Sequence, residues 1–245
     1  MAIDPKPFQQ TLEIRYERGY RYLDRCGEVM LILEDVLAQD TGKFWMTDEP
    51  RPTGGKIKCP ELDVTISLDS SHMVVQQEPM AVACDFLVIS ASAFAVVSSR
   101  FGLETISRAG QRTQRMIATD SADAASKLAV KHSPFAPWPK PDTAEFCMRD
   151  IEATSIYESA DRKTGIRWSM QAVTRLVVPI EIDPRLRLPT HLLPKEQDKV
   201  LKEQLARRSQ RDKDPAAGLM LDSDYYWVFP DKFDVRVFLD KAKAT

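Results

Sequence analysis

The stretch "ISRAGQRTQRMIAT", Ile106–Thr119, decides how this chain is read, and it can be taken as a strand or as a helix. It carries Arg108, Arg112 and Arg115 and no acidic residue. As a strand, it puts Arg108 and Arg112 on one face with Gly110 between them. As a helix, it again puts them on one face, and Arg115 joins them a turn later. The pairing of Arg108 with Arg112 therefore survives either assignment. Guanidiniums grip phosphate or carboxylate bidentately. Gly110 leaves room for a ligand or a backbone to approach closely. The competing reading pairs the arginines with acids of the same chain. Glu61, Asp63, Asp69 and Glu78 stand in a segment without lysine or arginine, and Asp222 and Asp224 offer a second set.

Working outward, "TLEIRY" (11–16) alternates apolar and polar residues, the pattern of a half-buried strand. From residue 20 to 37 the period changes. Tyr22, Cys26, Val29, Leu33 and Val36 mark a core-facing helix, in which Gly27 costs about 1 kcal/mol relative to alanine. Residues 40–61 are dense in turn formers and read as a long loop with room for a short strand; Phe44 and Trp45 form a lid or a staple onto the core, the staple being the favoured reading. Residues 62–77 read as a hairpin turning at "DSSH", and "CDFLVIS" (84–90) as a central strand. Phe94, Val97 and Phe101 then suggest a short helix closed by Gly102. Another helix follows, capped by Asp120 or Ser121.

Four prolines in "SPFAPWPKPD" (133–142) make the best boundary in the chain. Its Phe135 and Trp138 pin a stiff linker, or mimic a proline-rich ligand. Beyond it come a long hairpin, a surface helix starting near Pro194, a strand "GLMLDSDYYWVF" (218–229) and a terminal helix. The expected fold is α+β: antiparallel sheets with helices packed on one face. Two subdomains are expected, 1–132 and 143–245, joined by 133–142.

The chain has 245 residues, 43% of them hydrophobic and 29% charged, with a net charge of -2. This is an ordinary globular composition, and its total charge gives no pull toward nucleic acid or membrane. Cys26, Cys59, Cys84 and Cys147 form no C-x-x-C pair and have no metal-ligand spacing from His72, His132 or His191. Cys26 and Cys84 read as buried thiols. No apolar run approaches the ~18 residues of a membrane span, and no leader-type segment opens the chain. The expectation is a reduced cytoplasmic protein without a cofactor.

Three further clusters bear on function. Arg207, Arg208 and Arg211 close the surface helix, where basic residues suit the helix dipole. Residues 185–213 carry nine basic against four acidic residues, a local net of +5 and a candidate surface for nucleic acid or an acidic partner. Asp222 and Asp224 share one side of a strand and are a weak candidate for a hard cation, with salt bridges to the arginines as the plainer use. Ser70, Ser71 and His72 sit in a tight turn without a third group to complete a triad. No phosphate-binding loop, dinucleotide fingerprint or zinc-protease motif occurs.

Three motifs together are similar to a sporadically distributed prokaryotic family of unknown function. Its members carry an E-I-R-F strand, an R-x-G-x-R-Y-x-N-R-I segment and an L-D-x-D strand. Glu13 and Arg15 match the first. Arg108, Gly110, Arg112, Arg115 and Ile117 match the second, with Thr113 and Gln114 replacing its Tyr and Asn and Met116 intervening. Asp222 and Asp224 match the third. The resemblance transfers no catalytic residue; the family's patchy distribution implies phage-defence or mobile-element neighbourhoods.

The leading expectation is thus a non-enzymatic binding protein, one subunit of a bacterial assembly with a protein partner and no membrane. The alternative is a nucleic-acid or phosphorylated-ligand binder using Arg108, Arg112, Arg115 and the basic helix end. A further alternative is a metal-dependent enzyme at Asp222 and Asp224.

Overall fold

A computed structural model describes residues 5–51, 54–78, 80, 82–132, 152–174 and 217–243. The linker 133–142, the helix expected near Pro194, and Arg207, Arg208 and Arg211 lie outside these. Nine strands and four helices are described, and the strands form one antiparallel sheet. They are β1 (Lys6–Tyr16), β2 (Met46–Arg51), β3 (Gly54–Cys59), β4 (Val64–Leu68), β5 (His72–Gln77), β6 (Ile106–Thr119), β7 (Glu152–Glu158), β8 (Thr164–Thr174) and β9 (Ala217–Val228). The helices are α1 (Arg21–Thr41), α2 (Phe86–Phe101), α3 (Ala122–His132) and α4 (Val235–Lys243). The strand order is β2-β3-β4-β5-β1-β6-β9-β8-β7. The fold is α+β, and the arginine stretch is a strand flanked by β1 and β9.

The chain forms two compact units, each assembled from interleaved segments. One comprises Met1–Lys6, Met116–Ala153 and Met170–Leu221; the other Pro7–Arg115, Thr154–Ser169 and Asp222–Thr245. In the second unit the sheet register sorts residues by period two. Ile57, Ile66, Val75 and Leu12 line up across β3, β4, β5 and β1, and all are fully buried. The adjacent row is Lys56, Ser67, Val74 and Glu13, which are exposed or half-buried. The buried row enters a core that also takes Tyr22, Val29 and Leu33 of α1, Phe86, Val97 and Phe101 of α2, and Phe238 of α4. In the first unit a smaller cluster joins Ala129 of α3 to Leu219 of β9.

Several expectations are corrected here. Residues 84–90 are not a central strand. Asp85 accepts the Val88 N–H at 3.1 Å, and the chain enters α2 at Phe86. The apolar stretch 86–89 is too short to show a period, so it does not distinguish a buried strand from a buried helix. The expected short helix is the second half of α2. Gly102 ends α2, as Gly42 ends α1, at φ of +63° and +62°, the left-handed conformation glycine adopts without strain.

Residues 40–61 are not a long loop but hold the β2–β3 hairpin. Gly55 belongs there because a Cβ would strike the Sδ and Cε of Met30 on α1. Trp45 is the staple: it is buried, and its Nε1 donates to Thr41 Oγ1 at 3.0 Å. Cys26 and Cys84 are only half-buried, whereas Cys59 is fully buried. Among the described residues no helix is long and apolar enough to cross a membrane.

Candidate functional site

Strand geometry decides which arginines share a face. Arg108 and Arg112 project from the same face of β6, while Arg115 falls on the other, exposed and without an ion pair among the described residues. On β9 the same parity brings Asp222, Asp224 and Tyr226 to the arginine face and leaves Tyr225 and Trp227 to the core cluster. On β1 it supplies Glu13 and Arg15.

These side chains form two rungs. In the first, Arg108 Nη2 donates to Asp224 Oδ2 at 3.0 Å and Nη1 to Glu13 Oε2 at 3.5 Å. Glu13 also accepts from Arg15 Nε at 2.7 Å. The Arg108 guanidinium carbon lies 5.5 Å from the centre of the Tyr226 ring, in cation–π range. That ring lies across Gly165 of β8, where a Cβ would collide with it, and its hydroxyl donates to Glu158 Oε1 at 2.7 Å. In the second rung Arg112 forks onto Asp222: Nε donates to Oδ1 and Oδ2 at 2.9 and 2.8 Å, and Nη2 donates to Oδ2. Gln114 Nε2 reaches the same Oδ2 at 3.5 Å.

Gly110 therefore does make room, but for the protein's own groups. A Cβ there would sit 3.3 Å from Asp224 Oδ1 and 3.6 Å from Arg108 Nη2. The partners of the arginines are not the hairpin acids. Glu61 pairs with Lys43 at 3.0 Å, and Asp69 caps the β4–β5 turn by accepting from the Ser71 and His72 amides. Those acids lie on or beside β4 and β5, and β1 separates that hairpin from β6.

The two aspartates are electrostatically unlike. Burial pushes the Asp224 carboxyl above the usual carboxylate range, against the pull of the Arg108 charge. Hydrogen bonding to Asp222 raises the Arg112 guanidinium further. Both carboxylates turn oxygens toward guanidiniums, the reverse of what a cation site requires. Among the described residues no group of three His, Cys, Asp or Glu side chains converges as a metal site would.

Asp69 supplies the acid that the sequence reading of "DSSH" lacked, yet the three side chains are not arranged as a triad. His72 Nδ1 meets both Asp69 Oδ2 at 3.0 Å and Ser71 Oγ at 3.1 Å. A triad needs the acid on one ring nitrogen and the nucleophile on the other. The Cys59 and Cys84 thiols are each pushed up to about 11, chiefly by burial, so at neutral pH they are protonated and poor nucleophiles.

No protein-family model matches the chain, and no curated protein matches it in sequence. Tyr226, Gly165 and Glu158 were not singled out from sequence. Only the strand order, which places β8 beside β9, brings them to Arg108. Parity along β9 was the one signal that could have found Tyr226.

Proposed function

We propose that this chain is a non-enzymatic binding protein, one subunit of a bacterial multi-protein assembly, which docks through apolar side chains its fold leaves exposed. One observation carries the reading. Large apolar residues stand open on regular elements: Tyr20, Leu23 and Leu31 at α1, Ile156, Tyr157 and Trp168 on β7 and β8, and Phe229 just past β9. Single exposed apolar residues are ordinary, but large ones that recur along one helix face, as Leu23 and Leu31 do on α1, mark interaction surfaces. Phe229 adds to this. It holds φ at +44°, a left-handed conformation costly for a bulky residue, and keeps its ring half in solvent.

The anion-binding reading draws on Arg108, Arg112, Arg115 and the basic helix end at Arg207, Arg208 and Arg211; the Arg108 and Arg112 guanidiniums are already held by carboxylates, so it has less support. The motif resemblance favours a phage-defence or toxin-related setting for the assembly.

The test is affinity capture from the native cell at moderate salt. The wild-type chain should retain a protein partner that is lost when Leu23, Leu31, Tyr157 and Trp168 are all replaced by serine. A chain that elutes alone, or a quadruple variant that keeps every partner, overturns the reading.

A further inference from the structure

Helix α1 carries a face the fold does not use. Tyr20, Leu23 and Leu31 are 70%, 59% and 64% exposed, and Gly27 is exposed between the two leucines. Positions 23, 27 and 31 are four apart and so lie in one row along the helix. Gly27 is the unusual member. It occupies the interior of a 21-residue helix, where glycine costs stability relative to alanine. Nothing inside the protein requires it there, because a Cβ at that position meets no atom within 4 Å. Gly55 on β3 makes the contrast, since a Cβ there would collide with Met30. A mid-helix glycine that faces open space between two exposed leucines leaves room for a backbone from outside the chain.

The charges beside the row say what kind of backbone. At 100° per residue, Asp24, Glu28 and Asp35 all lie on the same flank, next to Leu31. All three are exposed; Glu28 is paired with Arg100 of α2, whereas Asp24 and Asp35 make no ion pair among the described residues. Arg21 lies back over Gly102, and Arg25 projects far from the row, so neither neutralises this flank. A second copy docked antiparallel about Gly27 would set acidic flank against acidic flank, which repels.

We infer that this face of α1 receives an amphipathic helix of another protein, packed closely over Gly27, with its leucine-type stripe bordered by lysine or arginine on the side of Asp24 and Asp35. The inference rests on the binding reading above and specifies the chemistry of one partner. Recognition of an amphipathic helix uses anchors at i, i+3, i+4 and i+7, and flanking charge sets the choice of partner.

The experiment uses the full chain and two synthetic 20-residue helical peptides sharing a leucine stripe, one flanked by lysine and its twin by glutamate, with binding read by fluorescence anisotropy. The lysine peptide should bind at least tenfold more tightly than its twin and weaken with added salt. Gly27→Leu should abolish binding while the circular dichroism spectrum stays unchanged, because the space before Gly27 is open. The double variant Asp24→Lys, Asp35→Lys should shift the preference toward the glutamate peptide. Equal binding of the two peptides, or binding indifferent to Gly27→Leu, overturns the inference. So does a wild-type dimer in sedimentation that Leu23→Ser dissociates. If captured partners depend on the exposed apolar residues but the lysine peptide shows no preference, this inference falls and the binding reading stands.

Discussion

Along β1, Leu12, Ile14 and Tyr16 are buried in the core, while Glu13 and Arg15 between them stand half-open in a line of ion pairs. The same division runs through β9, where Tyr225 packs on Phe238 and Asp224 holds Arg108. One backbone thus serves two kinds of energy. The apolar side gains from removing surface from water, a term of about 25 cal/mol per Å² that does not depend on partner identity. The polar side gains little net stability, because each ion pair repays the desolvation of its own charges. Its effect is specificity: Arg108 meets Asp224 and Arg112 meets Asp222 only when β6 and β9 are in register. A slip of one residue in either strand would turn that strand's pair to the core side and leave the other pair without its partners.

Substitutions on the two sides should separate these roles. The largest effect belongs to the buried face. Ile14→Ala should lower unfolding free energy by about 2–5 kcal/mol in urea titration, while Arg15→Ala, one residue on, should change it by less than about 0.5 kcal/mol. Next comes Arg108→Ala, which leaves Glu13 and Asp224 facing each other without their cation and should cost about 1–3 kcal/mol.

The two aspartates should then differ. Asp222→Asn breaks the fork to Arg112 and should cost more than Asp224→Asn, because burial already works against the charged form of Asp224. The sign of the pH effect follows. Asp224 binds its proton more tightly folded than unfolded, so its contribution to stability falls as pH rises from the ordinary aspartate value through its raised folded value. The stability gap between wild type and Asp224→Asn should therefore widen in favour of wild type when the urea titration is repeated in acid. A small effect of opposite sign is expected at Gln111, which is buried while its Oε1 has no hydrogen-bond partner among the described residues. Gln111→Met should be neutral or stabilising by up to about 1 kcal/mol.

How much of this was legible beforehand depended on periodicity. β1, α1, the β4–β5 hairpin and β9 alternate or recur cleanly, and their faces could be read residue by residue. Residues 84–90 could not, because the four apolar residues 86–89 fit either a strand or a helix; the Asp85 cap was the available clue. β2 and β3 were hidden by the density of turn formers in 40–61, among them Gly55, which admits the close approach of Met30. For the site, parity alone put Arg108 with Arg112 and Asp222 with Asp224. That the pairs face each other, and that Glu13 and Tyr226 join them, depends on β6 lying between β1 and β9, which no local pattern encodes.

Under the proposed function, Arg108 and Arg112 hold the sheet in register and binding falls to the exposed apolar residues. The most direct test of this division measures two things on one variant, Arg108→Gln with Arg112→Gln: the Tm, and retention of the captured partner below that temperature. The account predicts a Tm several degrees lower with the partner retained. An unchanged Tm with the partner lost would contradict it and make the guanidiniums the binding site.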